Sequence, residues 1–350
     1  MKNYRLLSAS EPRLYFRHLA FYIGKDKKRV GKVPASKLLR VLCRFRLPVR
    51  LLRLEPKCVE MLGEDQVLFC VLHKVWVLNL RTGDIKVLLE VSEGVSNPIN
   101  FCKGGGTDKV YWGDYGQNSL RNPVSIYSVD TSLKIEKVYT YPQGSIRHIH
   151  NIIYSPDQQC FYILTGDNDK RAGIYRSDLD FKDVQPVGIG NQNFRAVVAF
   201  PYKDGLIYAT DSVETENHIF VCTQSSGYKL ESLTAINGSC IYGTEIQDHF
   251  IFSTTVEPHQ GEDCKFLKRW FSEELGGGIK SRDVHLIAVN KKDLSDIKII
   301  AKYRKDCWPM RLFQYGSVHF PIGQKDKKTL RICPMACKKY DGKTIEIMVK

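Results

Sequence analysis

Two histidines that are one residue apart form the densest group of potentially reactive side chains in this sequence. His148 and His150 stand in the strand-like stretch Arg147-His148-Ile149-His150, and residues i and i+2 of a strand point to the same face. Two imidazoles on one face can bind a divalent metal, or one of them can transfer protons beside a carboxylate. The simpler alternative is a hydrogen-bonded pair without a chemical role.

Four acidic residues occupy comparable places, each close behind a hydrophobic, strand-like segment. They are Asp114, Asp167, Asp211 and Glu257. Carboxylates that converge on one opening can bind a cation, or they can divide acid and base roles when their surroundings separate their pKa values. The alternative is that each one caps a local turn.

Arginines form the third group, at Arg121, Arg147, Arg195 and Arg311. A guanidinium is a planar fork that matches a carboxylate or a phosphate with two hydrogen bonds. Ion pairs between neighbouring structural units are the alternative. Taken with the histidines and the carboxylates, these cations fit an acidic sugar better than a neutral one.

A repeat of strands and turns must position these side chains. Arg147 and Arg195 begin similar stretches 48 residues apart, and Tyr242 begins a third stretch 47 residues later. Each stretch has a first strand, a polar turn and a hydrophobic second strand that ends in Thr or Asp. Units of about 45 residues with three or four strands are typical of β-propeller blades.

Extending this register predicts six units, near residues 57–92, 97–141, 145–189, 193–236, 239–303 and 306–349, with an insertion around 259–283 in the fifth. We therefore expect an all-β chain with a single six-bladed β-propeller over residues 57–350 and a basic N-terminal arm over residues 1–56. Five or seven blades and a pair of β-sandwiches are the alternatives. In a propeller, the first strands line a central channel, where the three groups would meet.

The stretches Arg147–His150, Thr165–Asp167, Ile174–Asp178 and Tyr208–Asp211 resemble bacterial Asp-box (sialidase-like) six-bladed propellers. They are most similar to an uncharacterised branch associated with surface-polysaccharide gene clusters, and the resemblance covers about residues 97–257. It implies glycan substrates held by arginines on the axis. By the same resemblance, a sialidase arginine triad maps onto Arg121, Arg147 and Arg195, and a Tyr–Glu nucleophile pair maps onto Tyr242 and Glu257.

The net charge of +14 is concentrated near the N-terminus, because residues 13–53 contain 13 Lys and Arg but one acid, Asp26. Within this segment, apolar residues and cations alternate from Ser36 to Leu47, as in helices that lie on an anionic membrane surface. A solvated face packed on the propeller is the alternative. Aromatic residues for base stacking are sparse there, so no nucleic acid is expected. The strand-like stretch from Leu14 to Ile23 could instead close the ring by pairing with the last blade.

The eleven cysteines are scattered, odd in number and without a CxxC pair, which favours reduced thiols in a cytoplasm. The N-terminus lacks the layout of a secretory signal, and no apolar run reaches the roughly 18 residues that span a bilayer. We expect a cytoplasmic protein, peripheral on the inner membrane if the basic segment binds lipid. The sequence has no signature of a nucleotide cofactor.

Two functions are consistent with these observations. The first is a carbohydrate-active enzyme, of the glycoside hydrolase or polysaccharide lyase type, acting on an acidic glycan or glycolipid intermediate in bacterial surface-polysaccharide metabolism. Its expected catalytic residues are His148, His150, Asp114, Asp167, Glu257 and Tyr242, its substrate-binding residues are Arg121, Arg147, Arg195, Asp211 and Arg311, and a divalent metal would bind His148 and His150. The second is a non-catalytic propeller that binds glycans or serves as an assembly platform.

Overall fold

Short strands rich in Val, Ile, Tyr and Phe pair into seven antiparallel sheets that follow one another along the chain. The computed structural model describes residues 4–91, 95–166, 171–260 and 270–349. From the second sheet to the seventh, the first strands contact one another in chain order, and the first sheet packs on the second, so that the sheets form the blades of one propeller. No helix in the described ranges is long and apolar enough to cross a membrane.

The blades are numbered in chain order. Blade 1 contains β1 (Arg5–Ser8), β2 (Leu14–Arg17), β3 (Ala20–Ile23) and β4 (Lys28–Lys32), and blade 2 contains β5 (Val59–Leu62), β6 (Gln66–Val71), β7 (Lys74–Asn79) and β8 (Ile85–Glu90). Blade 3 contains β10 (Cys102–Lys103), β11 (Val110–Gly113), β13 (Val124–Val129) and β14 (Ile135–Tyr141), and beside it β9 (Val95–Ser96) pairs with β12 (Tyr115–Gly116).

The remaining blades have the same order. Blade 4 contains β15 (His148–Ser155), β16 (Cys160–Gly166), β17 (Gly173–Ser177) and β18 (Val184–Ile189), and blade 5 contains β19 (Ala196–Tyr202), β20 (Gly205–Thr210), β21 (Asn217–Thr223) and β22 (Glu231–Ile236). Blade 6 contains β23 (Cys240–Glu245), β24 (His249–Thr254), β25 (Asp283–Asn290) and β26 (Ile297–Arg304), and blade 7 contains β27 (Ser317–His319), β28 (Thr329–Met335) and β29 (Ile345–Met348). Short helices are α1 (Lys37–Leu42), α2 (Arg46–Leu51), α3 (Met310–Phe313) and the 3₁₀ turns Gln192–Phe194 and Gln224–Ser226.

The prediction of six blades with a separate N-terminal arm was wrong. All six predicted units are blades, but residues 5–32 form a further blade within the supposed arm. The cations of this segment obscured it, because they lie mainly in turns and on the outer strand, whereas Leu14, Phe16 and Phe21 are buried. The core between blades 1 and 2 includes Phe21 and Phe69, whose rings are 4.6 Å apart.

Ring closure uses β1 and not the stretch from Leu14 to Ile23, which forms β2 and β3. The backbone N–H of Ala9 donates to the carbonyl of Ile322 at 2.9 Å, and the N–H of Ile322 donates to the carbonyl of Leu7 at 2.9 Å. Since a blade cannot bury both of its faces alone, this contact between the first and last blades completes the ring.

A buried arginine reinforces the closure. Arg50 on α2 is 1% exposed, its Nε donates to the carbonyl of Phe313 at 2.7 Å, and its guanidinium pairs with Asp306 and Asp341. Burial opposes ionisation of Asp306, but hydrogen bonds from Arg50 and Lys305 hold the pKa of this carboxyl below its ordinary value. The network ties α2 to α3 and to blade 7.

We expect Arg50→Met to lower the free energy of unfolding by about 3 kcal/mol, because removing one partner leaves buried carboxylates under-compensated. Equilibrium denaturation at neutral pH measures this loss. The matched control is Arg81→Met, which removes an exposed pair with Asp65, and such pairs contribute little. Equal stability of the two variants would contradict a role of Arg50 in closing the ring.

Candidate functional site

The first strands enclose a cavity of about 230 Å³ on the propeller axis. Every blade contributes to its wall, which includes Arg5, Lys57, Asn100, Asn151, Val198, Tyr242 and His319. The polar side chains near one end of this cavity come from the beginnings of first strands and from the segments after second strands.

The first strands of blades 4, 5 and 6 share a β-bulge near this end. The register shifts around His150 in blade 4, Val197 in blade 5 and Ile241 in blade 6, so that each of these residues lacks a direct partner on the second strand. A bulge bends its strand and re-aims the neighbouring side chains. In blade 4, it brings the rings of His148 and His150 to a centroid distance of 4.9 Å.

The hydrogen bonds of the histidine pair fix the tautomer of both rings. Nδ1 of His148 lies 2.7 Å from the carbonyl of Gly116, and Nδ1 of His150 lies 2.9 Å from the carbonyl of Ala196. A carbonyl only accepts, so both Nδ1 atoms carry protons, and each neutral ring has its lone pair on Nε2. These two Nε2 atoms are 3.0 Å apart. Such a contact requires a shared proton or a cation between them.

Electrostatics disfavour the shared proton. His150 is buried, and burial, together with the nearby His148 and the positive charge of Arg195, lowers the pKa of His150 well below its ordinary value. An imidazolium here would therefore be costly. Two imidazole nitrogens that bind one metal at about 2.1 Å from neighbouring octahedral positions lie about 3.0 Å apart. The pair fits a divalent metal.

Protein ligands beyond the two histidines are not evident. The described parts of the chain contain no cluster of three His, Cys, Asp or Glu side chains that could enclose an ion. A metal held by His148 and His150 would therefore keep open positions for water or for oxygen atoms of a substrate, as catalytic metals do.

Gly166 lies against both imidazoles, and a Cβ built there would overlap Nε2 of His148 and of His150. We expect Gly166→Ala to displace the rings and to lower the free energy of unfolding by about 2 kcal/mol, as overpacking does in buried sites. Chemical denaturation measures the loss of stability, and titration with Mn²⁺ measures the loss of the ligand pair. Unchanged values in both measurements would contradict the arrangement described here.

Lys57 and Tyr115 lie beside the histidines. The Lys57 ammonium is 4.4 Å from the centroid of the Tyr115 ring, which is 4.7 Å from the ring of His148. Lys57 also donates a long hydrogen bond of 3.5 Å to the carbonyl of Asn97, and no carboxylate of the described residues pairs with it. Burial lowers the pKa of Lys57 to about 8, with a smaller contribution from Arg53. The neutral amine is therefore accessible near neutral pH.

An acidic pair faces the same space. Asp211 is 5% exposed and lies 3.6 Å from the guanidinium of Arg195. Burial and the charge of Glu257 raise the pKa of Asp211 to about 8, although Arg195 acts in the opposite direction. Glu257 accepts hydrogen bonds from the hydroxyls of Ser239 and Thr255. The two carboxyls thus have different surroundings, as an acid and an ionised partner require.

Tyrosines and further cations complete the end of the cavity. Tyr242 stacks on His319 at 3.9 Å, and Nη2 of Arg5 donates to Nδ1 of His319 at 3.1 Å. Burial raises the pKa of Tyr242 to about 12, and the charge of Glu257 adds to this effect. Burial and Glu257 likewise raise the pKa of Tyr315 to about 12.

The structure brings together most, but not all, of the residues predicted from sequence. His148, His150, Arg195, Asp211, Glu257 and Tyr242 surround the axis, and Arg311 on α3 lies at the rim, where it donates to the carbonyl of His259 at 2.6 Å. Arg147 directly precedes His148, Arg121 lies in the loop between β12 and β13, and Asp167 lies outside the described residues.

Asp114 departs from the expectation that all four acids face one rim. Its carboxylate accepts a hydrogen bond from the backbone N–H of Ser125 at 2.9 Å, within blade 3. Burial raises the pKa of Asp114, and the groups that modify this shift are Ser125, Lys137 and Tyr127 of the same blade. Asp114 therefore serves the local turn that the alternative interpretation described.

Sequence reasoning missed Lys57, Tyr115, Tyr315 and His319. The strongest available signal was the position of Lys57 at the start of a predicted unit, two residues before β5, since Arg147 and Arg195 also lie just before first strands. Tyr115 adjoins Asp114, so the sequence analysis considered this segment but not its tyrosine.

Fold and site together define a β-propeller with a polar, partly basic axial cavity. No protein-family model and no curated protein matches the sequence. Among solved structures, the chain is similar to oligogalacturonate lyase in complex with manganese, with a TM-score of 0.58 and 9% identity over 97% of this chain and 83% of that chain. It is also similar to the AfRom2 CNH domain, with a TM-score of 0.55 and 7% identity over 99% and 94%.

A further similar structure is oligogalacturonate lyase from Vibrio parahaemolyticus, with a TM-score of 0.50 and 9% identity over 89% of this chain and 81% of that chain. At such identities, the likeness establishes the propeller fold alone. The resemblance to Asp-box, sialidase-like propellers finds no support in these comparisons.

Proposed function

We propose that this protein is a carbohydrate-active enzyme that cleaves an acidic glycan by lyase-type elimination at the axial site. The observation that carries the proposal is the juxtaposition of Lys57, whose pKa is about 8, with the His148–His150 pair across the ring of Tyr115. A base with a pKa near the working pH is the group that abstraction of a weakly acidic C–H proton requires.

The elimination has three requirements that these residues meet. The neutral amine of Lys57 takes the proton from the carbon next to the uronate carboxylate, and the electrons of that C–H bond form a C=C bond. The bond between the ring carbon and the glycosidic oxygen breaks, and protonated Asp211 supplies the proton that this oxygen needs. Arg195 neutralises acid charge beside the reacting centre.

His148 and His150 are the residues that would hold a divalent metal. When bound, such an ion would neutralise the substrate carboxylate and acidify the adjacent C–H group. The solved structure of oligogalacturonate lyase with manganese supports this choice of chemistry, because that protein has the same fold.

Hydrolysis is the second candidate, and the raised pKa of Asp211 beside Glu257 favours it. A pair of carboxyls with separated pKa values can supply the general acid and its ionised partner in a glycosidase. The hydroxyls of Ser239 and Thr255 donate hydrogen bonds to Glu257 and hold its carboxyl in place. The two mechanisms leave different products, since only elimination produces an unsaturated sugar.

Incubation with a panel of uronate oligosaccharides and Mn²⁺ tests the proposal. We expect products with the ultraviolet absorbance of an unsaturated uronate and a mass without added water. His150→Asn should abolish Mn²⁺ binding and turnover, whereas His73→Asn, at an exposed turn, should change neither.

Products that contain one added water would replace elimination by hydrolysis. Binding of oligosaccharides without turnover would instead support the non-catalytic glycan platform.

We further propose that the enzyme acts in the bacterial cytoplasm on intermediates of surface polysaccharides. The support for the compartment is the state of the cysteines, because the described ones are free thiols, as in reducing compartments. Activity on intracellular glycan precursors, but not on finished polysaccharide, is the expected result.

A further inference from the structure

Exposed apolar side chains are concentrated at one end of the propeller. This end, here called the rim face, consists of the loops between second and third strands and of the segments that join one blade to the next. The exposed large apolar residues of these segments are Leu38, Val41, Phe45, Leu51, Leu52, Leu120, Trp270, Phe271, Trp308 and Tyr340. The other exposed ones, Val87, Ile189, Ile299 and Met348, lie on outer strands. The turns of the opposite end contribute none among the described residues.

The rim face is also the end at which the axial site lies. His148 begins a first strand there, and Gly166 ends the second strand beside it. Arg53, which follows α2, donates to the carbonyl of Leu312 at 3.1 Å, and Arg311 on α3 is near Tyr315 of the site. The helices therefore border the axial cavity, and the apolar side chains surround it.

Cations accompany the apolar side chains in one sector. Lys37 and Arg40 of α1, and Arg44 just after it, are exposed among the apolar side chains of Leu38, Val41 and Phe45. No acidic residue occurs from Lys27 to Arg53. The loop between β28 and β29 exposes Lys338, Lys339 and Lys343, while its acid, Asp341, pairs with Arg46 and Arg50.

A groove of about 640 Å³ lies between this loop and the segment that follows α1. Arg17, His18, Arg44 and Lys343 line it, and so does Phe45. The two carboxylates in its lining, Glu55 and Asp341, both pair with Arg46. Arg17 and Arg44 add to the effect of burial in lowering the pKa of His18, which reflects the local excess of positive charge. The groove has the size and charge to receive a phosphate-bearing headgroup.

We infer that the rim face docks on an anionic phospholipid surface, with Leu38, Val41 and Phe45 inserted among the lipids and Lys37, Arg40 and Arg44 on the headgroups. Apolar insertion combined with cations is the pattern of proteins that lie on a membrane. Since docking would place the axial cavity against the lipid, the acidic glycan of the proposed function would be lipid-linked. This second step rests on the proposed function, whereas docking itself does not.

Vesicle flotation tests docking. We expect the protein to float with vesicles of phosphatidylcholine and phosphatidylglycerol and to stay behind with phosphatidylcholine alone. Lys37→Gln, Arg40→Gln and Arg44→Gln together should weaken vesicle binding about 100-fold, since each cation contributes about fivefold. Leu38→Ser with Phe45→Ser should weaken it by about tenfold.

Matched controls come from the sides of the propeller and from its opposite end. Val87→Ser with Ile299→Ser removes two exposed apolar side chains, and Lys86→Gln, Lys229→Gln and Lys302→Gln together remove three exposed cations. Neither control should change flotation. Flotation that is equal for rim and control variants, or that requires an added protein instead of lipid, would overturn docking on a membrane.

The lipid-linked substrate has its own test. We expect the protein to bind about tenfold more tightly to vesicles in which glucuronosyl diacylglycerol replaces phosphatidylglycerol at equal charge. Lys57→Met should abolish this difference but keep the binding to phosphatidylglycerol. Equal binding of the two vesicle types would overturn the lipid-linked substrate. Turnover of soluble uronate oligosaccharides would then still decide the proposed function separately.

Discussion

Lys57→Met should reduce turnover of an acidic oligosaccharide by about 1000-fold, which is within the range that a positioned general base contributes. Methionine keeps the length of the side chain but cannot take a proton. The amine of Lys57 lies over Tyr115 and lines the axial cavity, so the variant should leave the fold unchanged. Initial rates with purified substrate, together with thermal denaturation, measure both expectations.

The pH profile gives the same prediction a second measurement. Burial lowers the pKa of Lys57 to about 8, so the reactive neutral amine increases about tenfold per pH unit up to this value. Turnover of the native enzyme should therefore rise from pH 6 to about pH 8.

Two comparisons separate a base from a simple cation at this position. Lys57→Arg keeps the positive charge but stays protonated, so it should bind substrate without turnover. Lys74→Met is the matched control, since Lys74 also lies near an aromatic ring, that of Trp76, at 5.9 Å. Activity in the arginine variant would reduce Lys57 to a residue that binds the substrate carboxylate.

The second large effect is expected for Asp211→Asn, which removes the proton donor for the leaving oxygen. Turnover should fall about 100-fold with a sugar leaving group and much less with a good leaving group such as nitrophenol, because the latter needs no protonation. Rates on the two substrates measure the difference. Equal losses on both would assign Asp211 to the positioning of Arg195 instead of to proton transfer.

Stability should change with pH in the same variant. The pKa of Asp211 is raised to about 8 in the folded protein and is about 3.9 when unfolded. The folded state therefore holds a proton that the unfolded state releases between these values, and the contribution of Asp211 to stability falls as pH rises from about 4 to about 8. In Asp211→Asn this decline should be absent. Denaturation curves at several pH values compare the slopes.

The repeat in the sequence was sufficient to predict a propeller and the boundaries of six blades, because turns and hydrophobic second strands recur at a fixed spacing. Blade 1 escaped notice for a physical reason. Its strands have four or five residues, and cations at Lys25, Lys27 and Lys28 dominate its turn and outer strand. Leu14 and Phe21 are buried in the core between blades 1 and 2. Their burial identifies blade 1 only once blade 2 is known to supply the other half of this core.

Parts of the site could be predicted where the position of a residue on a strand determines where its side chain lies. His148 and His150 converge, although a bulge at His150 and not regular strand alternation brings their rings together, and Asp211 and Glu257 follow second strands of adjacent blades. Asp114 follows such a strand too, but the N–H of Ser125 captures its carboxylate. Lys57 had no motif at all, since a lysine becomes a candidate base only when the fold buries it without a carboxylate.

The three bulges at His150, Val197 and Ile241 have a consequence for the direction in which a ligand binds. A ring of equivalent blades has rotational pseudosymmetry, so a chain molecule on its axis would find several orientations of similar energy. One extra residue in each of these three adjacent first strands, and another at Leu7 in blade 1, removes this degeneracy, because the first strands of blades 2, 3 and 7 have no such register shift. A glycan with unlike ends would then meet the reactive groups from a single side and in one polarity.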